Sequence, residues 1–142
     1  MSKPNILILN GPNLNMLGDR EPGIYGDNNL SHLIKDLKTK FPTVVIEDHQ
    51  SNEEGELINL IQDFGMRFDG IVFNPGGYSH TSVAIRDAVA SVSSRVIEVH
   101  ISNIHAREEF RRKTIVGGAC DAVISGFGVK GYEIAVEYLI KP

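Results

Sequence analysis

One cysteine, Cys120, stands among 142 residues, and tryptophan is absent. A single thiol excludes an intrachain disulfide, which fits a reducing compartment. Long apolar runs are also missing. None approaches the roughly 20 residues that a membrane helix requires. The opening stretch, MSKPNILILNGPN, has an apolar segment too short for a secretory signal and no small-residue cleavage site. The expected location is the cytoplasm, with no membrane partner. Basic charge is scarce as well, with 14 Lys and Arg against 18 Asp and Glu, a formal charge of −4. A nucleic-acid partner is therefore not expected, because counterion release needs a basic patch. No low-complexity segment, internal repeat or linker interrupts the chain, so residues 1–142 read as one domain. Within it, 42% hydrophobic and 23% charged residues are enough for a core under a polar surface.

Short β-rich runs alternate with amphipathic ones. NILILN is nearly all apolar, as a strand buried on both faces must be. DNNLSHLIKDLKTKF sets Leu30, Leu33, Ile34, Leu37 and Phe41 at helical spacing, with an Asn available as cap. TVVIED reads as a second strand, and SNEEGELINLIQDFGMRF as a helix with Leu57, Ile58, Ile61 and Phe64 on one face. GIVFNPGG is a third strand, and SHTSVAIRDAVASV a helix using Val83, Ile85, Ala88 and Val89. RVIEVHIS is a fourth strand, HAREEFRRK a short charged helix, DAVISGFG a fifth strand and GYEIAVEYLI the last helix. Five strand–helix units without a hairpin signal predict an α/β fold, a parallel sheet with helices on both faces. Right-handed crossovers leave few topologies, and the flavodoxin-like order 2-1-3-4-5 is expected. In such sheets ligands bind beyond the carboxyl ends of the strands, where the strand order reverses.

The residues expected there are polar. Asn10, Asn13 and Asn15 follow the first strand, and Asn74 to His80 follow the third. The fourth strand ends in EVHISN, where alternation sets Glu98, His100 and Ser102 on one face. A polar row on a central parallel strand needs a reason. One reading is a catalytic pair, with the carboxylate orienting the imidazole and fixing its tautomer. The other is a satisfied structural pair at the sheet rim. Arg107 and Arg111, four apart on the charged helix, form an anion clamp or belong to a solvated face on which Glu108 pairs with Arg112. The loop NGPNLNMLGDREPGIYGDN is long for such a fold and carries an arginine and a tyrosine among glycines.

Several other patterns carry less. GFGVKG matches a dinucleotide fingerprint in letters, but the chain ends before the acidic residue expected about 20 positions on. It reads as a tight strand-to-helix turn. No Walker A motif occurs, and His49, His80, His100 and His105 lack zinc spacing. Ser79, His80 and Asp87 are hydrolase residue types without a nucleophile elbow. A nucleotide- or flavin-binding module is the alternative to an enzyme, although the first loop is too long for a compact phosphate cradle.

NGPNLNMLGDREPGIYG, QSNEEGELI, NPGGYSHTSVAIRDA, EVHISNIHAREEFRR and ISGFGVKGY resemble, in order and spacing, the type II 3-dehydroquinate dehydratases. The resemblance covers nearly the whole chain. It implies a flavodoxin-like three-layer sandwich and a lyase that removes water from 3-dehydroquinate in the anti sense, through an enolate, giving 3-dehydroshikimate. It implies no metal and no cofactor, a place in the shikimate pathway to aromatic amino acids, and a dodecamer built from trimers. Residue by residue, it makes Tyr25 the base, Arg20 the cation that stabilises its phenolate, His100 the general acid, Glu98 the partner of His100 and Asn13 an enolate stabiliser. It assigns Asn74, His80, Ile101, Ser102 and Arg111 to substrate binding, with Ile101 and Ser102 acting through backbone amides. Arg107 would hold the loop tyrosine, and Asp87 would reach a neighbouring subunit's site. The loop REPGIYG then reads as a lid.

Overall fold

The fully buried Ile6, Leu7, Ile8 and Leu9 lie in β1, Asn5–Asn10, at the centre of a parallel sheet. The structure is a computed structural model that describes residues 2–18 and 29–141. In chain order the elements are β1, α1 (Leu30–Lys40), β2 (Val45–Gln50), α2 (Glu54–Gly65), β3 (Gly70–Asn74), α3 (Val83–Ala90), β4 (Arg95–His100), β5 (Ala122–Ser125) and α4 (Lys130–Ile140). The sheet order is β2-β1-β3-β4-β5, as the sequence predicts.

Alternation divides the core into two layers. Ile6 and Ile8 of β1, with Ile97 and Val99 of β4, pack against Leu33, Ile34 and Leu37 of α1 and Tyr132, Ala135 and Val136 of α4. Leu7 and Leu9 of β1, with Val96 of β4, pack against Leu57, Ile61 and Phe64 of α2 and Ile85, Ala88 and Val89 of α3. Helix starts follow local chemistry. Asn29 caps α1 by accepting from the His32 N–H at 2.9 Å, and Ser82 caps α3 by accepting from the Ile85 N–H at 2.9 Å.

Three expectations change. The charged helix is instead two single 3₁₀ turns, Ile104–Ala106 and Glu109–Arg111, with extended backbone between them at Arg107. The segment has few apolar residues with which to hold a longer helix against the sheet. The Glu108–Arg112 pair therefore does not form, and Glu108 meets Arg111 at 3.0 Å. Val83 is 58% exposed, because it begins α3 two residues before Ile85 and so faces nearly the opposite way. β4 stops at His100, so Ser102 lies past the strand rather than on it.

Two glycines bring the first and third loops into contact. A Cβ on Gly11 would lie 2.4 Å from the Pro75 carbonyl oxygen. Gly76, at φ +62°, would put one 2.9 Å from that of Pro12.

Candidate active site

Parallel register lines up the carboxyl ends of β1, β3 and β4. Asn10 lies opposite Asn74, and Glu98 opposite Phe73. Above these ends is a cavity of about 240 Å³. Pockets for drug-sized ligands run to roughly 300–1,000 Å³, so this one suits a small molecule. Its lining draws Asn13 from the first loop, Asn74 and His80 from the third, and His100, Ile101, Ser102, Arg107 and Arg111 from the β4 end onward.

His100 is 6% exposed, and its Nε2 lies 2.7 Å from Oε2 of the fully buried Glu98. Only a donor can face a carboxylate at that distance. Nε2 therefore carries a proton toward the carboxylate. The ring of His80 stacks on that of His100 with centroids 6.0 Å apart. His80 Nδ1–H donates to the Lys113 carbonyl at 2.6 Å, which leaves its Nε2 for a ligand.

Asn74 is 4% exposed. Its Nδ2 donates to the Tyr132 hydroxyl at 2.9 Å, and its Oδ1 accepts from the Gly76 N–H at 3.0 Å. The Tyr132 hydroxyl in turn donates to Asn10 Oδ1 at 2.6 Å. The hydroxyl thus ties α4 to the ends of two strands. Asn13 has φ 71°, a left-handed conformation that asparagine tolerates better than most residues. Its N–H donates to Asn52 Oδ1 at 3.0 Å, and Asn52 Oδ1 also accepts from Gln50 Nε2 at 3.1 Å.

Beyond β4, the Ile101 carbonyl accepts from the Gly128 N–H at 3.0 Å, and the Ser102 carbonyl from Ser125 Oγ at 3.2 Å. The glycine turn after β5 thus buttresses the site strand, which accounts for GFGVKG without a nucleotide. Arg107 Nη1 donates to Ser102 Oγ at 3.3 Å, and Arg111 Nε to Glu108 Oε1 at 3.0 Å. The Glu108 carboxyl is held below its usual range by its own backbone N–H and then by Arg111. Both arginines reach the cavity although they share no helix face.

The site therefore combines amides, two imidazoles and two guanidinium groups around one small polar space. Chains of this kind are known. Residues 4–140 match the family model described as Dehydroquinase class II.

The chain belongs to the class II dehydroquinases.

It is 47% identical over 139 residues to the 3-dehydroquinate dehydratase of Bacillus pumilus, covering 96% of this chain and 95% of that one. It is 50% identical over 141 residues to the corresponding protein of Fusobacterium nucleatum, with 96% of each covered. The crystal structure of the type II dehydroquinase from Butyrivibrio crossotus superposes with a TM-score of 0.93 at 46% identity, covering 98% of this chain and 99% of that one. A nucleotide- or flavin-binding module is not favoured.

Of the site residues expected in this dehydroquinase, Asn13, Asn74, His80, His100, Ile101, Ser102, Arg107 and Arg111 meet at the cavity, with Glu98 behind His100. Asp87, on α3, is exposed and outside the lining. Arg20, Tyr25 and the lid reading fall outside the described residues. Sequence reasoning missed the supports of the site: Gln50, Asn52, Tyr132 and Thr114, whose Oγ1 donates to Glu98 Oε1. Gln50 and Asn52 lie in the quoted QSNEEGELI block, but no periodicity marks them as supports of Asn13.

Proposed function

We infer that this chain is a single-domain 3-dehydroquinate dehydratase that works without metal or cofactor. Its reaction is a stepwise anti elimination. The Tyr25 phenolate takes the proton alpha to the substrate ketone, and an enolate forms, steadied by Asn13. The C–O bond at the beta carbon then breaks, His100 gives its proton to the departing oxygen, and water and the conjugated enone 3-dehydroshikimate result.

The chemistry accounts for each assignment. A free phenol has a pKa of ~10, so about one in a thousand is ionised at pH 7. A guanidinium close to it lowers that by ~1–3 units, and Arg20 stays charged throughout. Hydroxide is a poor leaving group and needs a proton as it departs. His100 supplies it while Glu98 holds Nε2. Arg111, Asn74 and His80 bind the hydroxyls and carboxylate of the substrate with the Ile101 and Ser102 amides, and Arg107 holds Tyr25.

The observation that carries the reading is the 2.7 Å His100–Glu98 pair at the edge of a small polar cavity in a class II dehydroquinase. The wider expectations go with it: a cytoplasmic enzyme of the shikimate pathway and a dodecamer in which Asp87 reaches a neighbour's site. The test is direct. The purified protein given 3-dehydroquinate produces the ultraviolet absorbance of the conjugated enone. Absence of that signal in freshly folded protein overturns the reading.

A further inference from the structure

The Glu98 carboxylate has no solvent exposure, and a buried carboxylate is costly unless both oxygens have donors. His100 Nε2 supplies one, at Oε2. The other comes from Thr114, whose Oγ1 donates to Glu98 Oε1 at 3.0 Å. We propose that Thr114 is a positioning residue for the general acid, which it holds through Glu98.

The direction of the hydroxyl proton follows from its surroundings. Thr114 Oγ1 accepts from the Gly117 N–H at 2.9 Å, which occupies a lone pair. Two oxygens then compete for its single proton: Glu98 Oε1 at 3.0 Å and the Ser79 carbonyl at 3.4 Å. The Ser79 carbonyl already accepts from the Ile115 N–H at 2.7 Å. The carboxylate is nearer and charged, and charged acceptors make the stronger bond. Gly117 is a glycine for the same reason, because a Cβ there would sit 2.5 Å from Thr114 Cγ2.

The same turn serves the second imidazole, since His80 donates to the carbonyl of Lys113. Residues 113–117 therefore brace both histidines of the site from behind. None of them lines the cavity.

The consequence is specific to one half of the reaction. Without the Thr114 hydroxyl, the carboxylate loses a donor and its fixed orientation, and its hold on Nε2 weakens. Protonation of the leaving group suffers, whereas removal of the alpha proton by Tyr25 does not. The inference rests on His100 being the acid.

The test compares two rates in deuterium oxide: dehydration, followed by enone absorbance, and exchange of the substrate's alpha proton, followed by mass or NMR. Thr114→Val keeps the shape and removes the donor. Its dehydration falls by about 10- to 100-fold, the size of one lost hydrogen bond to a charged group, while exchange persists, so the ratio of exchange to dehydration rises. Thr114→Ser restores the wild-type ratio. Thr114→Ala gives the same direction if the valine variant does not fold, with thermal melting as the check. His100→Ala raises the ratio too, and failure there refutes His100 as the acid; Glu98→Gln raises it because the carboxylate is the link, and an unchanged ratio there overturns the proposal. If Glu98→Gln raises the ratio and folded Thr114→Val does not, or if both rates fall together, the proposal is overturned.

Discussion

At the residue scale, the proposed reaction rests on Tyr25 as base and Arg20 as its cation, and each makes its own prediction. Tyr25→Phe removes the base without removing the ring. It is expected to lose about 10²–10⁴-fold in kcat, the usual contribution of a positioned base, while substrate binding measured by calorimetry persists. Near-normal kcat in that variant would refute the assignment. Arg20→Ala leaves the phenol in place but removes its cation. The phenol then ionises ~1–3 pH units higher, so activity, low at neutral pH, keeps climbing at pH values where the wild type has levelled off. A pH–rate profile with an unmoved limb would refute the role of Arg20. Cys120 is a third case. Burial, then the negative charge of Glu98, pushes its thiol up to about 12. The thiolate is the reactive form, so the native protein should resist a disulfide reagent at pH 8 and react with it once unfolded in denaturant. Rapid labelling of native protein would contradict that.

At the element scale, α4 does more than cover the sheet. Tyr132, fully buried near its start, joins Asn74 at the end of β3 to Asn10 at the end of β1. The helical pattern in GYEIAVEYLI says nothing of the Tyr132 hydroxyl. Tyr132→Phe keeps the ring packing and strips both asparagines of a partner. The cost expected from urea unfolding is about 1–3 kcal/mol, with KM rising as Asn74 loses its fixed orientation. An unchanged unfolding midpoint and KM would show that the network is idle. The segment after β4 teaches the converse. Spacing in HAREEFRRK suggests a helix, and the pattern is real but too polar to be held against a core. Two short turns form instead, with Glu108 gathering Arg107 and Arg111 at 3.9 Å and 3.0 Å.

At the scale of the whole molecule, the strand order decides where chemistry is possible. β1 lies between β2 and β3, so the chain turns outward in opposite directions from neighbouring strands and leaves a gap above them. The loops that border this gap come from distant parts of the chain and meet through the backbone contact of Gly11 with Pro75. Assembly is the further expectation at this scale. Light scattering coupled to size exclusion should give a dodecamer rather than the 15.6 kDa monomer. Asp87→Ala should then lower activity without loosening the His100–Glu98 pair. A monomer with full activity would refute both.

The sequence by itself determined the alternation of strands and helices, the parallel sheet, the polar row Glu98–His100 and the family, because these depend on periodicity and on local blocks of residues. Only the tertiary structure decided which donors reach those groups. Thr114 lies 16 residues from Glu98 in the chain, and Tyr132 lies 122 from Asn10. Such pairs follow no period. They form where the fold brings a hydroxyl within reach of a buried carboxylate or amide oxygen, which is costly to leave unpaired.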